Sequence, residues 1–414
     1  MVQRLIETID PYAYQVYRAL SWTSLCLWLG LVLFVCRPDL CAVHTVALFG
    51  SAGYDFGTNN LGTMAYSTPT LQNNFKDARP RAEKRMAVAL DKRPRTTLSF
   101  YRYVRIADPV AFRLQLLTRF TELECLGRIY VAHEGINAQM NVPTEHFDAL
   151  DAWIQSLSEL TGIPYKIAVA EKDFSSFYKL IIKVKDKIVA DGLDDATFDV
   201  TNTGAYLTAA EINEYVDDPE AVVVDMRNAY ESEIGHFKNA ILPDVDTFRE
   251  ELAIAPELLK IHKNKKIALY CTGGIRCEKA SAWLKHNGFT DVRHLRGGVI
   301  DYAHQVKEQG LPNKFMGSNF VFDERLGERV GNEIISHCHL CAVTKSDTHY
   351  HCPNQICHVL FLGCADCIEK YSGYCSAWCR LADKAPAPVK RVFARYYNRY
   401  FRATQFKKAR LRGL

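Results

Sequence analysis

The chain contains 414 residues, of which 48% are hydrophobic and 24% are charged, and its net charge is +4. These values are ordinary for a soluble globular protein of two or three domains, and they exclude a chain that is disordered throughout. The charge is unevenly placed, because residues 380–414 contain eleven Lys or Arg and one Asp. A basic end of this kind indicates a polyanion or a membrane surface as a partner.

An uncharged apolar segment occupies residues 19–36, between Arg18 and Arg37. Its length is at the threshold for a membrane-spanning helix, and the acidic residues before it are unlike a signal peptide. Two interpretations are open: a membrane anchor, or translated sequence upstream of a second start at Met64. We favour the second and expect residues 1–63 to be an apolar extension outside the native protein. No stable membrane association is then expected unless the segment 19–36 is native.

Periodic patterns begin at residue 94 and continue to residue 190. β-like stretches such as "TTLSFYRYVRI" (96–106) alternate with two helical ones in the order β-α-β-β-α-β. This order predicts a small ferredoxin-like domain over residues 94–190. The acidic, glycine-containing stretch 190–204 is predicted to be a linker.

Short apolar strands alternate with helices over residues 205–312. "AVVVDMR" and "KKIALYC" are two of the strands, and "CEKASAWLKHNG" is one of the helices. Fully apolar strands between helices indicate a parallel sheet that is covered on both faces. The chain is therefore predicted to combine an α+β domain with a parallel α/β domain, followed by a small cysteine-rich module.

The loop "YCTGGIRCEKA" (270–280) follows one of these strands. In sheets of this kind the chemistry occurs at the carboxyl ends of strands, where Cys271 stands. Gly273 and Gly274 allow backbone N–H groups to converge, the following helix adds its positive N-terminal end, and Arg276 adds a permanent positive charge. Because each of these lowers a thiol pKa, we predict an anion-stabilising loop centred on Cys271.

Four residues separate Cys271 from Arg276, one fewer than in the loop of a cysteine-based phosphatase. The smaller loop suits a terminal sulfur, and it resembles the active-site loop of rhodaneses, in which the cysteine carries a persulfide. The stretch "VVVDMRNAYESEIGHFKNAI" (222–241) also resembles a rhodanese segment. This resemblance implies a rhodanese-like fold for residues 205–312.

Four residues near the loop are assigned supporting or structural roles. Asp225 and Arg227 are expected to orient the loop rather than to react. Cys277 either resolves a persulfide on Cys271 or packs in the first helical turn, and both alternatives are open. His236 is expected to be a hydrogen-bonded structural histidine.

Eight of the fourteen cysteines form four pairs within residues 330–380. They are Cys338, Cys341, Cys352, Cys357, Cys364, Cys367, Cys375 and Cys379. Four thiolates suit one tetrahedral zinc ion, so this module is predicted to hold two structural zinc ions. The spacing does not show which pairs combine, and neighbouring histidines could replace a ligand. Disulfides in an oxidising compartment and an iron–sulfur or redox role are the alternatives.

The last segment, residues 381–414, interleaves basic and aromatic side chains. Its arginines recur at helical spacing among tyrosines and phenylalanines, and those assigned to nucleic-acid binding are Arg391, Arg395, Arg399 and Arg402. Arginine pairs with phosphates while aromatic rings stack on unpaired bases. The alternative is a solvated helix whose rings pack on the cysteine-rich module.

The order of these parts resembles the oxygen-dependent tRNA uridine hydroxylases, a rhodanese-containing bacterial family. The resemblance covers about residues 94–380 and is carried by "RTTLSFYRYVRIADP", "GRIYVAHEGINAQ", "KVKDKIVADG", "MRNAYESEIGHFKNA", "YCTGGIRCEKASAWLKHNGF", "NFVFDERLGERV" and the cysteine cluster. It implies a cytoplasmic oxidoreductase that converts the wobble uridine of tRNA, at position 34, into 5-hydroxyuridine with molecular oxygen as co-substrate. It also implies that Cys271 is the cysteine of the persulfide intermediate. The electron donor is not indicated.

Two other functions are open. A sulfurtransferase would move persulfide sulfur from thiosulfate or a donor protein to an acceptor. The residues alone favour it, because they show neither an iron-binding triad of two histidines and a carboxylate nor a flavin or nicotinamide motif. A tRNA-binding protein without activity fits the basic tail but leaves the glycine-rich loop unexplained. The resemblance favours the hydroxylase.

Overall fold

The computed structural model describes residues 79–394, except 170–174, 194–197, 389 and 393. The chain divides into two units, and all of these residues belong to the second, residues 77–414. Among the described residues, none of the helices has the length and hydrophobicity that a membrane span requires. The predicted extension 1–63, with its apolar segment, lies outside the described residues.

The N-terminal domain is a five-stranded sheet with helices packed on one face. Its elements are α1 (Arg81–Leu90), β1 (Arg95–Tyr103), α2 (Pro109–Glu122), β2 (Leu126–Ala132), β3 (Gly135–Pro143), α3 (Phe147–Ser156), β4 (Lys166–Ile167) and β5 (Leu180–Val184). The strands lie in the order β4-β1-β3-β2-β5, and β3 is antiparallel to both β1 and β2. The predicted ferredoxin-like order is confirmed, and β5 extends it as an edge strand parallel to β2.

Apolar and polar side chains alternate along the strands, so the two faces of this sheet differ in character. Leu98 and Phe100 of β1 belong to a core that α2 and α3 close. Helix α2 begins after Asp108, whose carboxylate accepts hydrogen bonds of 2.9 and 3.0 Å from first-turn N–H groups. Ser99 and Tyr101 alternate with the core residues and therefore lie on the opposite face, which is polar.

The second domain is a four-stranded parallel sheet between two helical layers. Its elements are β6 (Ala205–Leu207), α4 (Ala209–Asp217), β7 (Val222–Asp225), α5 (Ala229–Ser232), β8 (Gly235–Phe237), α6 (Phe248–Leu258), β9 (Lys266–Tyr270), α7 (Ile275–His286), β10 (Asp291–Leu295) and α8 (Gly298–Gln309). The parallel strands lie in the order β6-β10-β9-β7. Ile267 and Leu269 of β9 pack with α6 and α7, whereas Ala268 and Tyr270 pack with α4 and α8. The prediction of a parallel sheet covered on both faces is confirmed.

The C-terminal region shares a three-stranded sheet with the second domain. Its elements are β11 (Phe315–Asn319), β12 (Glu328–Arg329), β13 (His349–His351), β14 (Leu360–Leu362), α9 (Ala365–Tyr371) and α10 (Ala377–Lys384). β11 lies between β12 and β8 and is antiparallel to both. β13 and β14 form the hairpin of the cysteine-rich module. A ring nitrogen of His339 lies 2.7 Å from the carboxylate of Glu233 and connects the module to the second domain.

Buried polar contacts fix the N-terminal domain to the second domain. The ammonium group of Lys279 on α7 lies 2.8 Å from a carboxylate oxygen of Glu134, and it also contacts Asp191. Asp191 is 1% exposed, although it lies in the predicted linker. The hydroxyl of Tyr101 donates a hydrogen bond of 3.0 Å to Glu278 of α7. The polar face of the first sheet therefore lies against the region where α7 begins.

Candidate active site

Cys271 is the first residue after β9 and is completely buried by its surroundings. The backbone N–H of Gly274 donates a hydrogen bond of 3.1 Å to its Sγ. Gly274 has a φ of +97°, a left-handed conformation that glycine adopts without a steric penalty. A Cβ atom there would lie 2.8 Å from the hydroxyl oxygen of Tyr101. The turn and the close approach of the first domain both favour glycine.

The surroundings of Cys271 stabilise its thiolate. Burial by itself raises the pKa of the thiol, but several groups around the sulfur outweigh it. The thiol of Cys277 donates a hydrogen bond, the positive charge of Arg276 attracts the sulfur, and the backbone N–H groups of these two residues also donate. Together they lower the pKa of Cys271 from 9.0 to about 6. At neutral pH the residue is mainly the thiolate, the nucleophilic form.

Cys277 lies in the first turn of α7 and is completely buried. It belongs to the apolar core between β9 and the helices α6 and α7. Burial, together with the hydrogen bond that it donates to Cys271, raises its pKa well above the usual range. The residue therefore packs in the helical turn and, as a neutral thiol, also contacts the Cys271 sulfur.

Arg276 forms an ion pair with a buried acid, Glu231. Its guanidinium donates hydrogen bonds of 2.6 and 2.8 Å to Glu231 and one of 3.3 Å to the hydroxyl of Thr272. Glu231 lies on α5, where its carboxylate also accepts from the backbone N–H of Asn228 at the start of the helix. The loop is therefore less positive than the sequence alone indicates, since Glu231 was not identified there.

Asp225 and Arg227 form a fully buried ion pair at the end of β7, with a separation of 2.7 Å. The hydroxyl of Tyr270 donates to Asp225 at 2.7 Å, and Arg227 donates to the backbone carbonyl of Gly235 at 2.5 Å. Tyr270 immediately precedes Cys271. The ion pair thus connects the strand end that carries the loop to β7 and β8, which is consistent with an orienting role.

A second glycine pair, which sequence analysis did not identify, closes the other side of the loop. The backbone N–H of Val299 donates a hydrogen bond of 3.0 Å to the carbonyl oxygen of Cys271. A Cβ atom on Gly298 would lie 2.3 Å from the same carbonyl oxygen, so the loop requires glycine there. The available signal was a second Gly-Gly after a strand, in "HLRGGVI".

The Cys271 loop lines a cleft of about 510 Å³ between the two domains. The polar face of the N-terminal sheet, the second domain and the stretch after β11 all contribute to it, with Tyr101, Asn137, Gln139, Lys166, Tyr230 and Phe322 among the lining residues. This volume is within the range of small-molecule sites. The sequence motifs indicate only the part of the site in the second domain, because the contribution of the first domain depends on how the two domains pack.

Glu251 of α6 is a buried acid near the loop that sequence analysis also missed. It is completely buried, and neither carboxylate oxygen has a hydrogen-bond partner within the described residues. Burial raises its pKa well above the usual range, although the charge of Arg276 opposes this shift. These surroundings favour the protonated, neutral carboxyl group.

The eight clustered cysteines form two groups of four, and each group could hold a metal ion. One group contains Cys338, Cys341, Cys364 and Cys367, and the other contains Cys352, Cys357, Cys375 and Cys379. Within a group, the sulfur atoms lie within 4.8 Å of one another. The first pair along the chain therefore combines with the third, and the second with the fourth. Both groups consist of cysteines alone.

The predicted nucleic-acid-binding tail lies almost entirely outside the described residues. Arg391 is described and is exposed. The other three arginines assigned to nucleic-acid binding, Arg395, Arg399 and Arg402, are outside.

Models of three protein families match the chain. They are described as UPF0176 acylphosphatase like domain, which matches residues 95–188, rhodanese-like domain, residues 208–305, and rhodanase C-terminal, residues 316–380. A solved rhodanese-like domain protein from Staphylococcus aureus is 26% identical, covers 24% of this chain and 90% of its own, and has a TM-score of 0.20. The rhodanese-like domain of an Anabaena protein is 17% identical, covers 28% of this chain and 80% of its own, and has a TM-score of 0.22.

Curated relatives match most of the chain. The tRNA uridine(34) hydroxylase of Escherichia coli O9:H4 (strain HS) is 52% identical over 312 residues, which are 75% of this chain and 87% of that protein. Proteins of the same name from Shigella sonnei (strain Ss046) and Escherichia coli O157:H7 are 51% and 52% identical over the same shares of both chains. The family resemblance carried by the sequence motifs is confirmed. This chain belongs to the tRNA uridine(34) hydroxylase family.

Proposed function

We propose that this protein is an oxidoreductase that hydroxylates carbon 5 of the wobble uridine, uridine 34, of tRNA, with molecular oxygen as co-substrate. The observation that carries the proposal is the Cys271 thiolate, which lines a cleft of about 510 Å³. The chain's relatives bear the name tRNA uridine(34) hydroxylase, which supplies the substrate and the reaction.

The cleft suits an unpaired pyrimidine. The wobble base belongs to a single-stranded loop, and unpaired bases can be turned out of the stack into a protein pocket. The amide groups of Asn137 and Gln139 on the polar sheet face bond to each other at 2.8 Å, and their remaining donor and acceptor sites can bind the uracil edge. Tyr101 and Phe322 offer aromatic faces in the same cleft.

In this proposal Cys271 carries a persulfide. Its thiolate attacks the outer sulfur of a donor such as thiosulfate, a new S–S bond forms, and sulfite leaves with the electron pair of the broken S–S bond. The terminal sulfur is an anion, which the N–H groups of the loop around Gly273 and Gly274 and the charge of Arg276 would stabilise. Asp225, Arg227 and Cys277 would hold the loop in position.

The sulfurtransferase alternative is not favoured. It would use the same loop and the same persulfide, and it would then pass the sulfur to an acceptor. The relatives that are 52% identical are named as hydroxylases, and this match extends over 75% of the chain, well beyond the loop.

Each cysteine group is proposed to hold one structural zinc ion. Four sulfur donors within 4.8 Å of one another fit the preference of Zn²⁺ for tetrahedral thiolate coordination. The module has only short strands and helices in its described part, so zinc would contribute much of its folding energy. The ions would therefore support the fold and would take no part in the reaction in the cleft.

The proposed location of the enzyme is the cytoplasm.

The basic tail, residues 381–414, is proposed to bind the tRNA backbone through Arg391, Arg395, Arg399 and Arg402. Removing residues 386–414, which leaves α10 intact, should weaken tRNA binding and flatten its dependence on salt. An unchanged salt dependence would instead assign the tail to packing on the module.

The substitution Cys271→Ala tests the proposed function. The wild-type protein and the variant are produced in bacterial cells that lack a tRNA uridine hydroxylase, so that the cell supplies the electron donor, and the tRNA nucleosides are measured by mass spectrometry. We expect 5-hydroxyuridine with the wild type and a loss of about 10³-fold or more with the variant. Cys125→Ala, which removes a buried cysteine of the N-terminal core, is the matched control and should retain activity. Equal activity of Cys271→Ala would contradict the role of the loop.

A further inference from the structure

Lys166 is a buried lysine of the N-terminal sheet that lines the Cys271 cleft. It lies opposite Ser99 in the pairing of β4 with β1, so it belongs to the polar face of the sheet. Its side chain is 5% exposed, which is rare for lysine unless the charge is paired. Within the described residues, its amine makes no hydrogen bond and no ion pair.

The side chain lies directly over the glycine turn. Its Cδ atom is 3.7 Å from the position that a Cβ atom on Gly273 would occupy. Its Nζ atom is 4.7 Å from the centre of the Tyr101 ring, a cation–π contact that supports the ammonium without using its hydrogen-bond donors. Burial lowers the pKa of Lys166, whereas the negative charges of Asp301 and Cys271 oppose this shift. The amine therefore lies in the cleft close enough to Cys271 for their charges to interact.

Other cations beside the loop are already engaged. Arg276 donates two hydrogen bonds to Glu231, and Lys279 contacts both Glu134 and Asp191. Lys166 differs from both, because its three N–H donors are available to a ligand that enters the cleft.

The expected acceptor is an oxygen of the base rather than a phosphate. For carbon 5 of uracil to lie near the Cys271 sulfur, the adjacent carbonyl oxygen O4 must lie near it as well. Lys166 is buried at this position, whereas tRNA phosphates are more easily met by exposed cations such as Arg128 at the same cleft. Because Lys166 lies deep in the cleft, we expect its hydrogen-bond partner to be the base rather than a phosphate.

We propose that Lys166 contacts the substrate in this cleft, where its ammonium group donates a hydrogen bond to O4 of the wobble uracil and holds the base beside the Cys271 sulfur. The inference rests on the proposed function and adds a substrate-contacting residue from the first domain. A donor at O4 polarises the C4 carbonyl group and stabilises negative charge that develops on that oxygen.

Three variants test the inference in the cell assay for 5-hydroxyuridine. Lys166→Met keeps the length of the side chain without its donors, and Lys166→Arg keeps donors. Lys263→Met is the matched control, because it removes an exposed lysine whose Nζ lies 5.8 Å from the Phe289 ring centre, outside the cleft. We expect a loss of about 10²-fold for Lys166→Met, a smaller loss for Lys166→Arg and none for the control.

Two measurements on purified protein separate this role from folding and from phosphate binding. The melting temperature of Lys166→Met should be no lower than that of the wild type, because removing a buried charge that has no hydrogen-bond partner offsets the loss of its cation–π contact with Tyr101. Lys166→Gln provides a second variant if methionine perturbs the fold. The slope of log Kd for tRNA against log salt should be unchanged in both variants, whereas loss of a phosphate contact would reduce it by about one.

The outcomes are distinguishable from failure of the proposed function. If the wild type forms 5-hydroxyuridine and folded Lys166→Met forms as much, the inference about Lys166 is wrong and the proposed function stands. A reduced salt slope would also overturn it, in favour of a phosphate contact. If the wild type forms no 5-hydroxyuridine, the proposed function fails, and the contact with O4 fails with it.

Discussion

The guanidinium group of Arg276 and the carboxylate of Glu231 form a buried two-hydrogen-bond ion pair, with distances of 2.6 and 2.8 Å, beside the Cys271 loop. Removing one member of such a pair leaves the other as an unpaired charge in a poorly solvated environment. The stability of the fold and the charge around Cys271 therefore depend on the same two residues.

Arg276→Ala is expected to lower the free energy of unfolding by about 3–5 kcal/mol, because Glu231 loses its partner. The double variant Arg276→Ala/Glu231→Gln should regain most of this stability. Neither variant should recover the low pKa of Cys271, because the positive charge is absent from both. Denaturant unfolding and the pH dependence of Cys271 alkylation measure the two effects. A fully stable Arg276→Ala protein would show that the ion pair does not form.

The thiol of Cys277 is expected to control the pKa of Cys271. In the wild type, the rate of Cys271 alkylation by iodoacetamide should fall as the pH drops through about 6. Cys277→Ala removes a hydrogen-bond donor to the thiolate and should move this midpoint to a higher pH, whereas Cys277→Ser keeps a donor and should move it less. Identical pH profiles for all three proteins would contradict the contact between the two sulfur atoms.

Glu251→Gln is expected to stabilise the protein at high pH. The pKa of Glu251 is raised in the folded protein, so its ionisation favours the unfolded chain and stability falls as the pH rises above the usual glutamate range near 4.5. Glutamine has a similar shape but does not ionise, so it adds no pH dependence to the stability. The variant should therefore gain free energy of unfolding relative to wild type at pH 8 and little or none at pH 4. An equal difference at both pH values would show that Glu251 has an ordinary pKa.

The purified protein is expected to contain about two zinc ions per chain, one for each group of four cysteines. Elemental analysis measures the content, and Cys352→Ser should reduce it by about one ion while leaving the group around Cys338 loaded. Removal of zinc with a chelator should unfold the module, because metal and fold are coupled. Metal-free protein with all eight thiols reduced would contradict this assignment.

The sequence was informative for features whose residues lie close together along the chain. Cys271, Gly274 and Arg276 lie within one turn, so their spacing alone indicated an anion-stabilising loop. Glu231 lies 45 residues before Arg276 in the chain and reaches it only through the packing of α5. A single glutamate on a short helix is indistinguishable in sequence from a surface glutamate, and the partner of Arg276 could not be predicted.

The same reasoning explains the other residues that were missed. Strand alternation assigns Lys166 to one face of its sheet, but it does not show that the Cys271 loop lies opposite that face. Asp191 looks like a linker residue because its partner Lys279 comes from another domain. The cysteine spacing gave the number of ligands, while the interleaved pairing depends on how the β13–β14 hairpin folds.

The most direct test of the proposed hydroxylation uses isotopes, because insertion of oxygen and exchange of oxygen for sulfur add the same nominal mass to uridine. Cells that produce the protein are grown either under oxygen gas enriched in the heavy isotope or with thiosulfate carrying labelled outer sulfur, and the nucleoside at position 34 is isolated from tRNA. We predict that heavy oxygen enters the wobble uridine, that no labelled sulfur does, and that Cys271→Ala abolishes the oxygen label. Labelled sulfur in the base without heavy oxygen would contradict the hydroxylase and establish a sulfurtransferase.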